Sequence, residues 1–203
     1  MRLILASSSK NRQDIFKMIG WKYEVVKSLV EERSNETDPE KYVKALSRDK
    51  ANSVASQINE KALIVAADSV IYMDGKIYEK PKNKEEAYQN MKEMSGKVTC
   101  AITGVTIKDL YQKKEICFSD IAEVHIREAT DDEIKWYVEN EQTVLERCGY
   151  AMLGKAAIFL DKVNGDYNTL FGISPSKLYE KFKELGYTIS DFELAEIWVE
   201  RTT

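Results

Sequence analysis

Residues 3–12 read LILASSSKNR: four apolar side chains, Leu3, Ile4, Leu5 and Ala6, give way to three serines and, past Lys10 and Asn11, to Arg12. An unbroken apolar run of this kind belongs to a strand buried on both faces, as in an α/β sheet. Ser9 stands where a helix N-cap is expected, and Ile15, Phe16 and Ile19 carry that helix to a stop at Gly20. In open α/β sheets, ligands bind just beyond the C-terminal ends of strands, often against helix N-termini whose N–H groups attract anions. Two readings of this stretch stay open: the serines cap a helix, or Ser7, Ser8, Ser9 and Arg12 converge on a phosphate.

The rest of the chain extends the pattern. WKYEVV at 21–26 alternates like a strand, and SLVEERSNETD reads as an exposed loop. Asp38 as cap and Pro39 at the first turn open a helix with an apolar stripe at Val43, Leu46 and Val54. ALIVAAD is a second buried strand, and Asp74-Gly75 predicts a hairpin between VIYM and KIYE. Asn83 with Glu86 begins a helix that Gly96 stops, and two strands follow over VTCAITGVTIK and ICFSDIAEVHI. Thr130 with Glu133 opens another helix, AAIFLDKV and a short YNTLFGI frame the turn NGDY, and Ser174-Pro175 opens SKLYEKFKEL, which ends at Gly186. The tail from 188 to 203 is amphipathic and is expected to be helical. Early alternation of strands and helices, with strands clustered in the middle, predicts an α/β protein with a mixed sheet and helices on both faces.

The 203 residues, 43% hydrophobic and 32% charged, suit one large domain or two packed lobes, and no Pro-, Gly- or Ser-rich linker divides them. A net charge of -4 and a pI near 5.3 argue against a nucleic-acid polymer as partner. No apolar run reaches the roughly 20 residues that cross a bilayer, and Met1 leads directly into a strand pattern, so no membrane partner and a cytoplasmic location are expected. Cys100, Cys117 and Cys148 form no CxxC pair and read as buried reduced thiols. The single histidine, His125, shares a strand face with Glu123 and Arg127, which leaves a His-dependent triad or multi-histidine zinc site without support. GxGxxG and Walker A patterns are absent from the sequence.

Several charged residues stand where a site is expected. Lys50 continues the inward stripe of Val43, Leu46 and Val54, so it either meets an anion or snorkels at the stripe's edge. Asp68 follows ALIVAA at what reads as the end of a buried strand; it either forms a turn, or holds Mg²⁺ or serves water as a general base. Lys80 precedes Pro81, which sets the chain extended, while Glu31 and Glu32 sit in a polar loop. Together these residues suit attack on a polyphosphate, with cations and a metal offsetting phosphoryl charge while a carboxylate handles water.

The ordered series LILASSSxxR, LVEE, RDKA, VAADSV, EKPKNKEEA, MSGK, TGV and NGDYNTLFGISPSKL resembles the Maf family of nucleoside triphosphate pyrophosphatases, from Met1 to about Leu185. The resemblance implies a Maf/ITPase-like α/β fold: one domain over 1–203, an elongated mixed sheet flanked by helices, and a cleft between two lobes. It also implies hydrolysis of a nucleoside triphosphate to the monophosphate and diphosphate with a divalent cation, Mg²⁺ or Mn²⁺. By position, Asp68 matches the proton-accepting aspartate, Ser7, Ser9 and Arg12 the phosphate loop, Lys50 and Lys80 two catalytic lysines, and Glu31 with Asp68 the metal position. Association with septum formation and a homodimeric state are implied too, and a nucleotide-binding regulator of division with little turnover is the alternative function.

The chain also departs from that family. Where relatives read S-P-R-R or S-P-W-R, this loop has Lys10 and Asn11, so Asn11 replaces the Arg of the dTTP/UTP group and the Trp of the 7-methyl-GTP group. Ser69 replaces the Thr that follows the aspartate, Leu153 stands where those groups carry Gln or Glu, and Thr99 replaces a histidine. Leucine cannot form a base-edge hydrogen bond, so hydrolysis with an altered or relaxed choice of base is expected.

Overall fold

The structure, a computed structural model, describes residues 1–31, 33–148 and 154–195. Its elements run β1 (Leu3–Leu5), α1 (Lys10–Ile19), β2 (Glu24–Val25), α2 (Pro39–Gln57), β3 (Leu63–Met73), β4 (Lys76–Tyr78), α3 (Lys84–Met94), β5 (Val98–Asp109), β6 (Lys114–Ile126), α4 (Asp131–Asn140), β7 (Leu160–Asn164) and α5 (Pro175–Glu184). Four of the helix starts are set by the expected side chains: Asp38, Asn83, Thr130 and Ser174 each accept from a backbone N–H in the first turn. Ser9 differs. It occupies the N-cap position of α1 without a side-chain cap bond.

The strands form one mixed sheet in the order β2-β1-β3-β5-β6-β7, with β4 paired to β3. β1 is parallel to β2 and β3, and the longer strands β3, β5 and β6 run antiparallel. The β3–β4 turn has Asp74 at φ 50° and Gly75 at φ 81°, the paired positive angles of a type I′ hairpin.

Strand alternation assigns the two faces. Ile4, Ala6, Ile64, Ala66, Val70 and Ile102 pack with Tyr42, Val43, Leu46, Ala51 and Val54 of α2. Leu3, Leu5, Leu63, Val65, Ala67 and Val105 pack on the other face with Ile15 and Phe16 of α1 and Leu178 and Phe182 of α5. Farther along that face, Ile71, Met73, Ala101 and Val124 pack with α3 and α4. Among the described residues, one α-helix therefore covers one face and four cover the other.

β3 does not stop at Asp68. It continues to Met73, so the aspartate lies mid-strand, opposite Gly104 of β5. The strand's other edge changes partner instead: β3 pairs with β1 only as far as Val65 and with β4 only from Ile71. Between them β3 has neither of these neighbours on that edge, which produces the strand-end opening inside a continuous strand.

Four other expectations change. WKYEVV contributes only the two-residue β2. Residues 155–159 form a 3₁₀ turn after Gly154 (φ 117°), because burying Ala156 and Phe159 on one side suits its three-residue period; the strand begins at Leu160. YNTLF is likewise a 3₁₀ turn. The described part of the tail, 188–195, has a 3₁₀ turn at Ile189–Asp191 and then extends: Phe192 stacks on Trp21 and Phe182 at 4.5 and 4.8 Å, and Leu194 bridges to Trp21. Residues 196–203 lie outside the described residues. The three cysteines are free and half-buried.

Candidate active site

The unpaired edge of β3 opens into a cavity of about 670 Å³ lined by Ser7, Ser8, Ser9, Asn11, Arg12, Lys50, Asp68, Ser69 and Lys80 among others. Because side chains alternate along a strand, Asp68 faces α2 and Ser69 faces α1. The cavity wraps around the strand edge, and groups from both faces of the sheet meet in it.

On the α2 side, Lys50 and Asp68 are 6% and 7% exposed, and the ammonium donates to the Asp68 carboxylate at 2.6 Å. This buried ion pair resolves the Lys50 alternative: the inward lysine has an anionic partner. Leu46 and Tyr42, one and two turns before Lys50 on the same helix face, also line the cavity. The Tyr42 hydroxyl donates to Glu79, a second cavity carboxylate that stands beside Lys80 at the start of the EKPKNKEEA stretch. Tyr42 shares the spacing that marks Lys50, so the stripe itself held the missing signal.

The α1 side is organised by Arg12. Its guanidinium donates to the Ser7 hydroxyl at 3.3 Å and to the Ser69 hydroxyl at 2.9 Å, and the Ser7 hydroxyl also accepts from the backbone N–H of Ser9 at 3.2 Å. The Ser7 bond reaches the N–H of the N-cap residue Ser9 and not the first turn of α1, which is left without a side-chain cap. Arg12 lies against Gly172, where the Cβ of any larger residue would come within 2.7 Å of Nε. That close approach, with φ at 95°, requires glycine.

Cys148 closes the wall opposite Ser69, its thiol donating to the Ser69 carbonyl at 3.6 Å. Burial, reinforced by the charge of Asp68, pushes this thiol up to about 12, while Lys80 and Arg12 act in the opposite direction. Asp68, Lys80, Arg12 and Glu79 therefore all lie within electrostatic reach of one point on the wall. Sequence spacing carries no signal for Cys148.

Glu31 is placed differently. It lies on an exposed loop, 79% exposed in its side chain, paired with Arg33 at 3.4 Å, and outside the cavity lining. Lys27 and Ser28, four and three residues earlier, do reach the rim. Leu153 lies outside the described residues. Among the described residues no three His, Cys, Asp or Glu side chains gather as a metal cage, and no helix is long and apolar enough to cross a membrane.

The sequence profile described as "Maf-like protein" matches residues 2–185. The chain belongs to the Maf family. Among Maf relatives, a dTTP/UTP pyrophosphatase of Carboxydothermus hydrogenoformans is 36% identical over 92% of this chain and 100% of that protein. A dTTP/UTP pyrophosphatase of Fusobacterium nucleatum is 35% identical over 93% of this chain and 97% of the relative. Among solved structures, the Staphylococcus aureus Ham1 protein superposes with a TM-score of 0.44 at 13% identity, covering 62% of this chain and 72% of that one.

Proposed function

We propose that this Maf protein is a nucleoside triphosphate pyrophosphatase, cleaving its substrate to a nucleoside monophosphate and diphosphate. The observation that carries the reading is the buried Lys50–Asp68 pair opening into the same cavity as the Ser7–Arg12–Ser69 group. Arg12, Lys50 and Lys80 supply three cations to a polyphosphate, and Ser7 and Ser9 supply hydroxyls at the start of α1. Asp68 accepts the proton of a water whose oxygen bonds to the α-phosphorus as the bridging oxygen leaves with diphosphate. Lys50 offsets charge as it develops on the phosphoryl oxygens.

A hard divalent cation, Mg²⁺ or Mn²⁺, fits this donor set. Mg²⁺ is commonly held by one or two carboxylates together with substrate phosphates rather than by a full protein cage. Asp68 is a cavity carboxylate that would hold it; Glu31, the other expected ligand, is exposed, paired with Arg33 and outside the cavity lining. When bound, the cation neutralises phosphate charge and polarises the phosphoryl group.

Base choice rests on positions that differ from the dTTP/UTP group. Asn11 lines the cavity where the resemblance places arginine, and a short amide reaches less far than a guanidinium, which favours acceptance of bases beyond thymine and uracil. The test is a panel of canonical and modified nucleoside triphosphates incubated with Mg²⁺ or Mn²⁺, with monophosphate and diphosphate both measured. Release of both from at least one nucleotide, abolished in Asp68→Asn, is expected; release of orthophosphate alone, or none from any nucleotide, would falsify the assignment.

A further inference from the structure

Ser69, Thr103 and Asp120 stand directly opposite one another on β3, β5 and β6, forming a polar row across a sheet face that is otherwise apolar on either side: Ala67 and Val105 flank it at one end, Ile71, Ala101 and Ala122 at the other. The row is nearly inaccessible beyond Ser69, Thr103 being 1% and Asp120 2% exposed. Buried polar groups in such a setting are costly unless paired, so the pairing has a definite pattern.

That pattern runs in one direction. The Arg12 guanidinium has only donors, so the Ser69 hydroxyl accepts from it at 2.9 Å. The Thr103 hydroxyl donates to the Thr169 carbonyl at 3.2 Å, which uses the only proton that hydroxyl has. The 2.8 Å contact between Ser69 and Thr103 must then be closed by the Ser69 proton. Thr169, 1% exposed, is fixed in turn: its hydroxyl donates to Asp120 at 2.6 Å, and the other Asp120 oxygen accepts from Lys177 and from the backbone N–H of Ile121. The 3₁₀ turn Tyr167–Phe171 that carries Thr169 runs on to Gly172, against which Arg12 lies.

We infer that Thr103, braced by Thr169 and Asp120, is a positioning residue that sets the orientation of Arg12 through the hydroxyl of Ser69. Each end of the guanidinium has a fixed acceptor, Ser7 on the loop and Ser69 on the sheet. The Ser69 acceptor is directed toward Arg12 because its own proton is committed to Thr103. Ser69 can therefore offer a substrate a lone pair but no proton. This inference rests on the proposed triphosphate site.

The test is Thr103→Val, which keeps the shape and removes the acceptor. Steady-state kinetics should show KM for the best triphosphate raised about tenfold with kcat changed less than about threefold, because an oriented charge contact is lost from ground and transition states alike. Thr103→Ser should return KM to near wild type. In an Arg12→Ala background, Thr103→Val should change KM by less than about twofold, since the two act as a unit. Should either single substitution lower stability, the melting temperature of each variant separates that loss from KM, and the Arg12→Ala background cancels it. An unchanged KM in Thr103→Val, or the same increase with Arg12 absent, overturns the inference while leaving the pyrophosphatase assignment intact. If the wild-type protein cleaves no nucleotide, the assignment fails separately, and calorimetry with inorganic triphosphate carries the test: Thr103→Val should weaken binding about tenfold, and equal binding overturns the inference.

Discussion

Gly104→Ala tests how closely the helix covering one face of the sheet controls the chemistry at its edge. A Cβ at Gly104 would lie 2.4 Å from the Val43 carbonyl carbon and oxygen and 2.7 Å from the Lys44 nitrogen, all backbone atoms of α2. Ordinary contact begins near 3.4 Å, so the helix must retreat by 3.4 − 2.4, about 1 Å. Gly104 lies opposite Asp68, and Lys50 lies two turns from Val43 on that helix, so the retreat draws the ammonium away from the carboxylate it now meets at 2.6 Å. Overpacking of this kind costs about 1–3 kcal/mol, which for a chain of this size lowers the melting temperature by roughly 2–12 °C. Displacement of a reacting group by about 1 Å lowers kcat/KM by about 100-fold. Melting followed by circular dichroism and steady-state release of diphosphate measure the two effects. A variant with wild-type kcat/KM would refute the reasoning, whatever its stability, because it would show that the Lys50–Asp68 geometry does not depend on the α2–β5 contact.

Asp68→Asn should reduce kcat by about 10²–10⁴-fold, the range for loss of a general base, and an activity above a tenth of wild type would remove Asp68 from that role. Cys148, with its thiol pushed up to about 12 chiefly by burial, should resist iodoacetamide at pH 8 in the folded protein and react after denaturation, as read by mass spectrometry. Rapid labelling of the native chain would contradict that burial. Glu133, held near pKa 2 against an ordinary 4.5 first by its hydrogen bond from Arg127, binds its proton more weakly when folded. Its stabilising contribution is therefore complete above about pH 4.5 and lost as pH falls toward 2, so Glu133→Gln should lower the melting temperature at pH 7 and match wild type near pH 2. A difference that persists at pH 2 would point to packing instead.

Much of this architecture follows from local chemistry. Asp38, Asn83, Thr130 and Ser174 cap helices because a short oxygen three residues before an unpaired N–H meets it without help from the rest of the fold. Lys50 is legible for a similar reason, since helical periodicity alone places it with Val43 and Leu46. What spacing could not reveal depends on distant partners. ALIVAA looks the same whether the strand ends at Asp68 or merely loses β1 there, and only the length of a neighbour sixty residues away decides. AAIF is too short an apolar run to separate strand from turn. Cys148 carries no motif at all, and Thr103, Thr169 and Glu79 lie in the stretches TGV, NGDYNTLFGISPSKL and EKPKNKEEA with nothing local to mark what they touch. They enter the site through sheet register and loop packing.

Ten consecutive pairings, from Leu63–Asp109 to Tyr72–Cys100, hold β3 to β5. Since Asp68 and Ser69 point to opposite faces, a slip of one residue would turn the carboxylate off the face of Lys50 and the hydroxyl off the face of Arg12. The placement of these two groups is therefore all-or-none. Divergence within this family can replace side chains such as Asn11 one at a time, but a single-residue insertion or deletion between Leu63 and Asp68 would have to be absorbed by the loop before β3 or lose both halves of the site together.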